Sequence, residues 1–399
     1  MDIEKLFQPI RIHGAIFPNR IVMAPMGRLF NDEKGVPHQD YIEYFRRRAA
    51  GGTGVLMTEG SMIPHPVAAY APNAAAIYGE EAMAVWRDCA DAVHAHGATL
   101  ISQIWHGGLF RKPLAYLAPD EPVPVDPHLQ PVGPSGWHMP NVAMDGTVLP
   151  GIKVCEAMSE KDIEDCILAF GEAAVNAKDA GFDAIDIHAA HGYLIDQFLW
   201  ERTNVRTDQW GGSPQNRVRF AVEVTREVRR RVGPDYPVFL RLSQWKQADY
   251  GARLAHTPQE LEALLVPLAD AGVDVFDCST RRIWEPEFAD TDLTIAGWCK
   301  KLTGKLSMAV GSVGLERELN PNSQYNKLFK GGAKDANDIS RPATEANLER
   351  VLDMFEKGWF DFVGVGRMLI ADPAWADKVR HGRYHEIPSY NDDALATLL

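Results

Sequence analysis

The chain has 399 residues, 46% of them hydrophobic and 24% charged, with a formal net charge of −13. That length and apolar content suffice for a large core, either one large α/β barrel or two ordinary domains, and no stretch has the composition of a disordered segment. The acidic balance disfavours nucleic-acid partners, no apolar run approaches the roughly 18 residues that span a bilayer, and the first thirty residues lack a signal-peptide pattern, so the expectation is a cytoplasmic protein acting on small molecules.

Within residues 1–20, the alternating segment Ile10 to Asn19 has a turn-forming His13-Gly14 at its centre and predicts a β-hairpin that plugs the bottom of a barrel. Short apolar runs of strand length follow at Ile21–Met26, Val55–Gly60, Ala98–His106, Ala184–Ala190, Val238–Ser243, Val273–Thr280, Leu306–Ser312 and Phe362–Arg367. Helical patterns lie between most of them, at Tyr41–Ala50, Glu81–His96, Glu160–Ala180, Asn216–Val232, Thr257–Ala271 and Thr344–Lys357. Eight β–α units predict an α/β fold, a (β/α)8 TIM barrel forming one domain over residues 1–399. A doubly wound sheet is weakened because no Gly-x-Gly-x-x-Gly follows the first strand.

Two connections exceed ordinary loop lengths. The excursion over residues 110–158, Pro-rich from Pro113 to Pro150, is expected to shape a substrate entrance on the catalytic side. A second irregular stretch, residues 315–342 after the seventh strand, carries Gly331-Gly332 and several asparagines and reads equally as a lid or a surface insertion.

The strongest chemical signal is the run from Asp183 to Leu194, in which His188, His191 and Tyr193 emerge where a buried strand ends. Imidazoles can donate hydrogen bonds to an oxygen gaining negative charge, and a phenol can deliver a proton to an adjacent carbon, so the trio suits activation of a carbonyl compound. A His-x-x-His pair can also bind metal, but no third ligand of suitable spacing accompanies it, and no metal is expected. The five cysteines, Cys89, Cys155, Cys166, Cys278 and Cys299, are far apart and odd in number, which predicts neither a disulfide framework nor an iron–sulfur cluster.

The segments Ala24-Pro25-Met26, Gln103-Ile104-Trp105-His106, Asp186 to Leu199, Asn204 to Ser213, Asn216-Arg217, Arg241-Leu242-Ser243 and Val365-Gly366-Arg367 together resemble the Old Yellow Enzyme family of FMN-dependent ene-reductases, in the family's order, from about Leu6 to about Val379. The resemblance implies non-covalent FMN at the top of the barrel, reduced by NADH or NADPH and reoxidised by a small-molecule activated alkene. It carries Gln103 and Arg241 over to the flavin's pyrimidine ring, where charge accumulates on reduction, and Pro25, Met26 and Gly27 to the flavin contacts after the first strand. It assigns the phosphate to the loops holding Gly311, Ser312 and Gly366, with Arg367 as clamp. His188 and His191 then hydrogen-bond the substrate carbonyl, Tyr193 protonates the α-carbon, and Trp105 walls the substrate pocket. Asn204, Arg206, Asp208, Gly211 and Gly212 read as scaffold for the rim. A homodimer or larger homo-oligomer is an inherited expectation.

The chain departs from the family pattern at Gly27, where relatives usually carry a threonine or cysteine that hydrogen-bonds the flavin C4 oxygen, and at Leu29, where one branch has a tyrosine. Without the Gly27 donor, a lowered flavin potential is expected, unless water or a backbone N–H substitutes. The gap could equally make room for a larger substrate. Other readings remain at this stage: an FMN-dependent oxidative N-demethylase, a metal-dependent TIM-barrel hydrolase using His188 and His191, and a non-catalytic binding barrel.

Overall fold

The computed structural model describes residues 2–69, 73–109, 131–138, 151–315 and 345–398. Eight parallel strands close on themselves in the order β3 (Ile21–Met23), β4 (Val55–Met57), β6 (Thr99–Trp105), β9 (Ala184–His188), β10 (Val238–Leu242), β11 (Val275–Ser279), β12 (Leu306–Val310) and β13 (Phe362–Val365), the last pairing with the first. All eight expected strands are present. They read as largely apolar runs because helices cover their outer faces while the barrel interior takes the alternate side chains.

The hairpin of β1 (Ile10–Ile12) and β2 (Ala15–Phe17), paired Ile10 to Phe17, closes the barrel at the strands' N-terminal ends. Phe17 is fully buried there, meeting the edges of Phe239 and Phe362 at 5.9 and 5.7 Å between ring centroids. Its partners in the plug layer include Val22, Val55, Ile101, Ala184, Val275 and Met308. The apolar plug leaves the opposite, C-terminal end of the barrel as the open one.

Helices α1 (Asp40–Ala50), α2 (Glu80–His94), α3 (Glu160–Asp179), α4 (Leu194–Leu199), α5 (Pro214–Val232), α6 (Pro258–Ala271), α7 (Ile295–Thr303), α8 (Glu345–Glu356), α9 (Arg367–Ala371) and α10 (Trp375–Arg380) complete the shell. Their starts follow from local chemistry: Ser159 forms a capping box with Asp162, and Ser213, Thr257 and Thr294 accept backbone N–H bonds at the first turns of α5, α6 and α7. The six helices expected from periodicity are all found. The short ones, α4, α7, α9 and α10, are too brief to display a helical period.

The central parts of the two long connections, residues 110–130, 139–150 and 316–344, lie outside the described residues. Near the first, β7 (Trp137–His138) pairs antiparallel with β8 (Ile152–Lys153), and the Ser135 hydroxyl accepts from Val205 N at 2.9 Å, which ties this segment to the loop after α4. The β5 strand (Ser61–Met62) adds to β6 at its C-terminal end.

Candidate active site at the C-terminal end of the barrel

Two residues along β6, β9, β10 and β11 from the plug layer, the next inward positions become polar. Gln103, Asp186, Arg241 and Asp277 are all buried there. Gln103 donates its Nε2 to Asp186 Oδ2 at 2.7 Å, and Arg241 Nε lies 2.7 Å from Asp277 Oδ2. Arg241 Nη2 donates to Asp277 Oδ1 at 3.4 Å, while the closer Nε···Oδ2 approach is not aligned as a hydrogen bond, so Arg241 Nε, Asp277 Oδ2 and Asp186 Oδ1 each keep unused hydrogen-bonding capacity in a buried layer. Two carboxylates share one guanidinium. Burial pushes both carboxyls above their ordinary range, and the neighbouring Asp277 charge pushes Asp186 further, so the pair holds a proton more readily than exposed carboxyls do.

Above this layer β9 ends at His188, and the chain turns through His191 (φ 66°) and Gly192 (φ 88°) into α4. A left-handed histidine is costly, and the surroundings hold it in place. His191 N donates to Ser243 Oγ at 3.0 Å, its ring Nε2 meets Ser279 Oγ at 2.8 Å, and Trp245 stacks on the ring at 4.3 Å. Gly192 N donates to Asp196 Oδ2 at 2.7 Å, and the other oxygen of Asp196 takes the Lys246 ammonium at 2.7 Å, both residues being fully buried. Gln197 Nε2 donates to Gly192 O at 2.7 Å and so locks the turn from the helix side.

These supports bring the three expected residues onto one wall. The His188 ring is 5.1 Å from that of His191 and 4.8 Å from that of Tyr193, and Trp105 meets Tyr193 edge to face at 5.1 Å. His188 Nδ1 accepts from Ala190 N at 3.3 Å, which leaves its proton on Nε2. Burial, together with the Arg241 cation, lowers the pKa of both histidines well below the usual value, with His188 adding to the effect on His191. Both rings are therefore neutral at physiological pH, each with one N–H to donate.

The loops after β12 and β13 have the backbone expected of an anion cradle. Gly311 (φ 154°) and Ser312 (φ 51°) turn sharply, and a Cβ on Gly311 would stand 2.5 Å from Thr280 Oγ1. Gly366 leads into α9, where Arg367 lies 5.8 Å over the Tyr390 ring. Pro25, Met26 and Gly27 follow β3 and are partly buried beside them; the Met26 sulfur would be 3.3 Å from a Cβ on Gly366. A flavin mononucleotide fits these observations: polar atoms with spare hydrogen-bonding capacity for a heteroaromatic ring, and a glycine-lined backbone turn for a phosphate.

Several contributors escaped the sequence reading. Asp186 and Asp277 had a visible signal, a carboxylate inside an otherwise apolar strand. Glu59 had a weaker one. It is buried after β4, accepts from Arg28 N and Leu29 N at 3.0 and 3.1 Å, and binds Tyr41 Oη, so it shapes the turn that follows Gly27. Lys246 and Gln247 gave no local signal, because their partners Asp196 and Tyr193 are about fifty residues away in the chain.

The metal reading gains nothing from the geometry around His188 and His191. Among the described residues, the metal-capable group is His65, His106 and Cys166, at a different place. There Gly108 N donates to His106 Nδ1 at 2.9 Å, so the His106 proton sits on Nε2 and is shared with His65 Nδ1 at 3.0 Å. The nitrogen that would bind a metal already carries a hydrogen. The rim run behaves as a scaffold: Asn204 Nδ2 donates to Phe198 O and Trp210 O at 2.8 and 2.7 Å, and Arg206 bonds Pro134 O, Met158 O and Asp208. Four cysteines are buried and Cys155 is partly exposed, all with free thiols.

Residues 5–386 match the model of the NADH:flavin oxidoreductase / NADH oxidase family. An NADH oxidase of Thermoanaerobacter brockii is 33% identical over 96% of this chain, which spans about half (52%) of that longer relative. A chanoclavine-I aldehyde reductase of Penicillium roqueforti is 31% identical over 95% of this chain and 90% of its own length. Among solved structures, a single-substitution mutant of morphinone reductase with tetrahydroNAD aligns with a TM-score of 0.72 at 26% identity, covering 98% of this chain and 93% of that one. No helix among the described residues is long and apolar enough to cross a membrane.

Proposed function

The chain belongs to the NADH:flavin oxidoreductase / NADH oxidase family, that of the Old Yellow Enzymes, and from that premise we propose that it uses FMN and NADH or NADPH to reduce the activated C=C bond of α,β-unsaturated carbonyl compounds. The observation that carries the reading is the single wall formed by two neutral imidazoles and a phenol, with His188 and Tyr193 4.8 Å apart between ring centroids.

FMN, when bound, supplies a carrier that takes a hydride from the nicotinamide and passes it to the β-carbon of the alkene. Gln103 and Arg241 hold the pyrimidine side of the ring, Pro25, Met26 and Gly27 flank it, and Gly311, Ser312, Gly366 and Arg367 receive the phosphate. His188 and His191 donate to the substrate carbonyl oxygen. As neutral donors in a dry pocket they stabilise charge developing on that oxygen without a cost of reorganisation. Tyr193 protonates the α-carbon; a phenol with a pKa of about 10 stays protonated at neutral pH and is still acidic enough to quench an enolate. Trp105 orients the Tyr193 ring and walls the pocket.

The test is product analysis in heavy water with protiated NADPH and cyclohexenone. The reading expects saturated ketone with solvent deuterium at the α-carbon and protium delivered to the β-carbon. Absence of saturated product, or deuterium at the β-carbon, overturns it.

A further inference from the structure

Gln247 makes a contact for which the scheme above has no use. Its side-chain Nε2 lies 2.8 Å from Tyr193 Oη, donor to acceptor. The residue is held at its backbone, where its N–H donates to His191 O at 3.2 Å alongside the bridge between His191 and Lys246. The residues before it are anchored too: Trp245 is stacked on His191, and Lys246 is paired with Asp196 beneath Gly192. The loop after β10 and the turn after β9 thus form one unit, and Gln247 reaches the phenol from a fixed base.

We propose that Gln247 is the positioning residue that makes Tyr193 a proton donor, its amide N–H donating to the phenol oxygen. The proposal rests on the reading of Tyr193 given above. A phenol oxygen has one hydrogen to give and lone pairs to accept with. An amide N–H occupying a lone pair does not consume the hydroxyl hydrogen, which the phenol keeps to donate. When the O–H bond breaks, its electron pair stays on the oxygen as phenolate, and the proton forms a C–H bond with the electron pair of the enolate carbon. Solvent then reprotonates the phenolate. The N–H···O bond is stronger to the phenolate than to the phenol, so it favours the state in which the proton has left. An amide turned the other way, oxygen toward the hydroxyl, would hold the proton back.

Among the described residues, the Tyr193 ring meets His188, which burial keeps neutral, and Trp105, which does not titrate. The nearby charges, Arg241 and Lys246, are each engaged by a carboxylate.

The experiment compares Gln247→Leu, Gln247→Glu, Tyr193→Phe and the Gln247→Leu/Tyr193→Phe double variant, all as FMN-loaded protein. Stopped-flow records flavin reduction by NADPH and reoxidation by cyclohexenone across pH, and ultraviolet titration follows phenolate formation, Tyr193 being isolated by subtracting Tyr193→Phe. The proposal expects Gln247→Leu to slow reoxidation about tenfold, the scale of one hydrogen bond to a developing charge, while flavin reduction is unchanged. It expects the Tyr193 phenolate step and the alkaline limb of the rate to move to higher pH together. Gln247→Glu, an acceptor when ionised, slows reoxidation further, and Gln247→Leu has no added effect in the Tyr193→Phe background. An unmoved phenolate step, or equal slowing by Gln247→Leu with and without the tyrosine hydroxyl, overturns the proposal. If cyclohexenone fails to reoxidise the native enzyme while Gln247→Leu still shifts the phenolate step, the coupling stands and the ene-reduction reading fails.

Discussion

His188 and Tyr193 stand edge to face, their ring centroids 4.8 Å apart and their planes at 90°. In the proposed reaction, the imidazole assigned to the carbonyl oxygen and the phenol assigned to the carbon beside it would approach one substrate from the same wall. Tyr193→Phe is expected to slow reduction of cyclohexenone by about 10²- to 10⁴-fold, the usual scale of a positioned acid, and to leave flavin reduction by NADPH unchanged. The two half-reactions, followed separately by flavin absorbance, check this. Equal slowing of both would remove Tyr193 from the proton-transfer step.

Because both histidines are buried and neutral, their role as donors needs no added proton. His188→Ala is expected to lower kcat/KM for the enone by about 10²- to 10³-fold, the cost of one oxyanion donor. Native turnover should show no acid limb near the ordinary histidine pKa of about 6.5. A pH–rate profile that rises or falls through that region would mean that a charged imidazole takes part.

Burial and the neighbouring Asp277 charge raise the Asp186 pKa in the folded state, which gives stability a definite pH dependence. The shift is upward from the ordinary carboxyl value of 3.8. The unfolded chain therefore releases the proton first, and the stability this group contributes is complete below 3.8 and lost as pH rises toward the folded value. Asp186→Asn, neutral at every pH, is expected to melt above the native protein by a margin that grows from about pH 4 upward. A thermal melting series from pH 4 to 8 tests it, and a margin that shrinks with pH contradicts it.

Gly27 leaves room for the side chain that relatives carry. The nearest atom to a Cβ built there is Glu59 Oε2 at 3.9 Å, an ordinary contact distance. Gly27→Thr should therefore be tolerated, and its hydroxyl should stabilise reduced flavin and raise the flavin midpoint potential. A spectroelectrochemical titration of both proteins gives the answer. A native potential equal to or above that of the variant would mean that another donor already fills the role.

The barrel was legible because each strand is a short, largely apolar run and each long helix keeps its period. The plug hairpin followed from the alternation around His13-Gly14. The wall of His188, His191 and Tyr193 was legible because all three leave one strand end within six residues. Arg241 was found, but its partner Asp277 was not, since pairing between neighbouring parallel strands leaves no spacing signal along the chain. Gln247 and Trp245 were invisible for the same reason: they act on the β9 turn from the next strand's loop. The helix α4 hid within the motif that announced the site, being only six residues long.

The central claim is that this chain binds FMN and passes electrons from a nicotinamide to an activated alkene. The direct measurement is the visible spectrum of the purified protein without oxygen, before and after NADPH or NADH and again after cyclohexenone. The account predicts a flavin spectrum that bleaches with the nicotinamide and recovers with the enone. A flavin that bleaches only with an N-methyl amine, or a colourless protein that cannot be reconstituted with FMN, would contradict it.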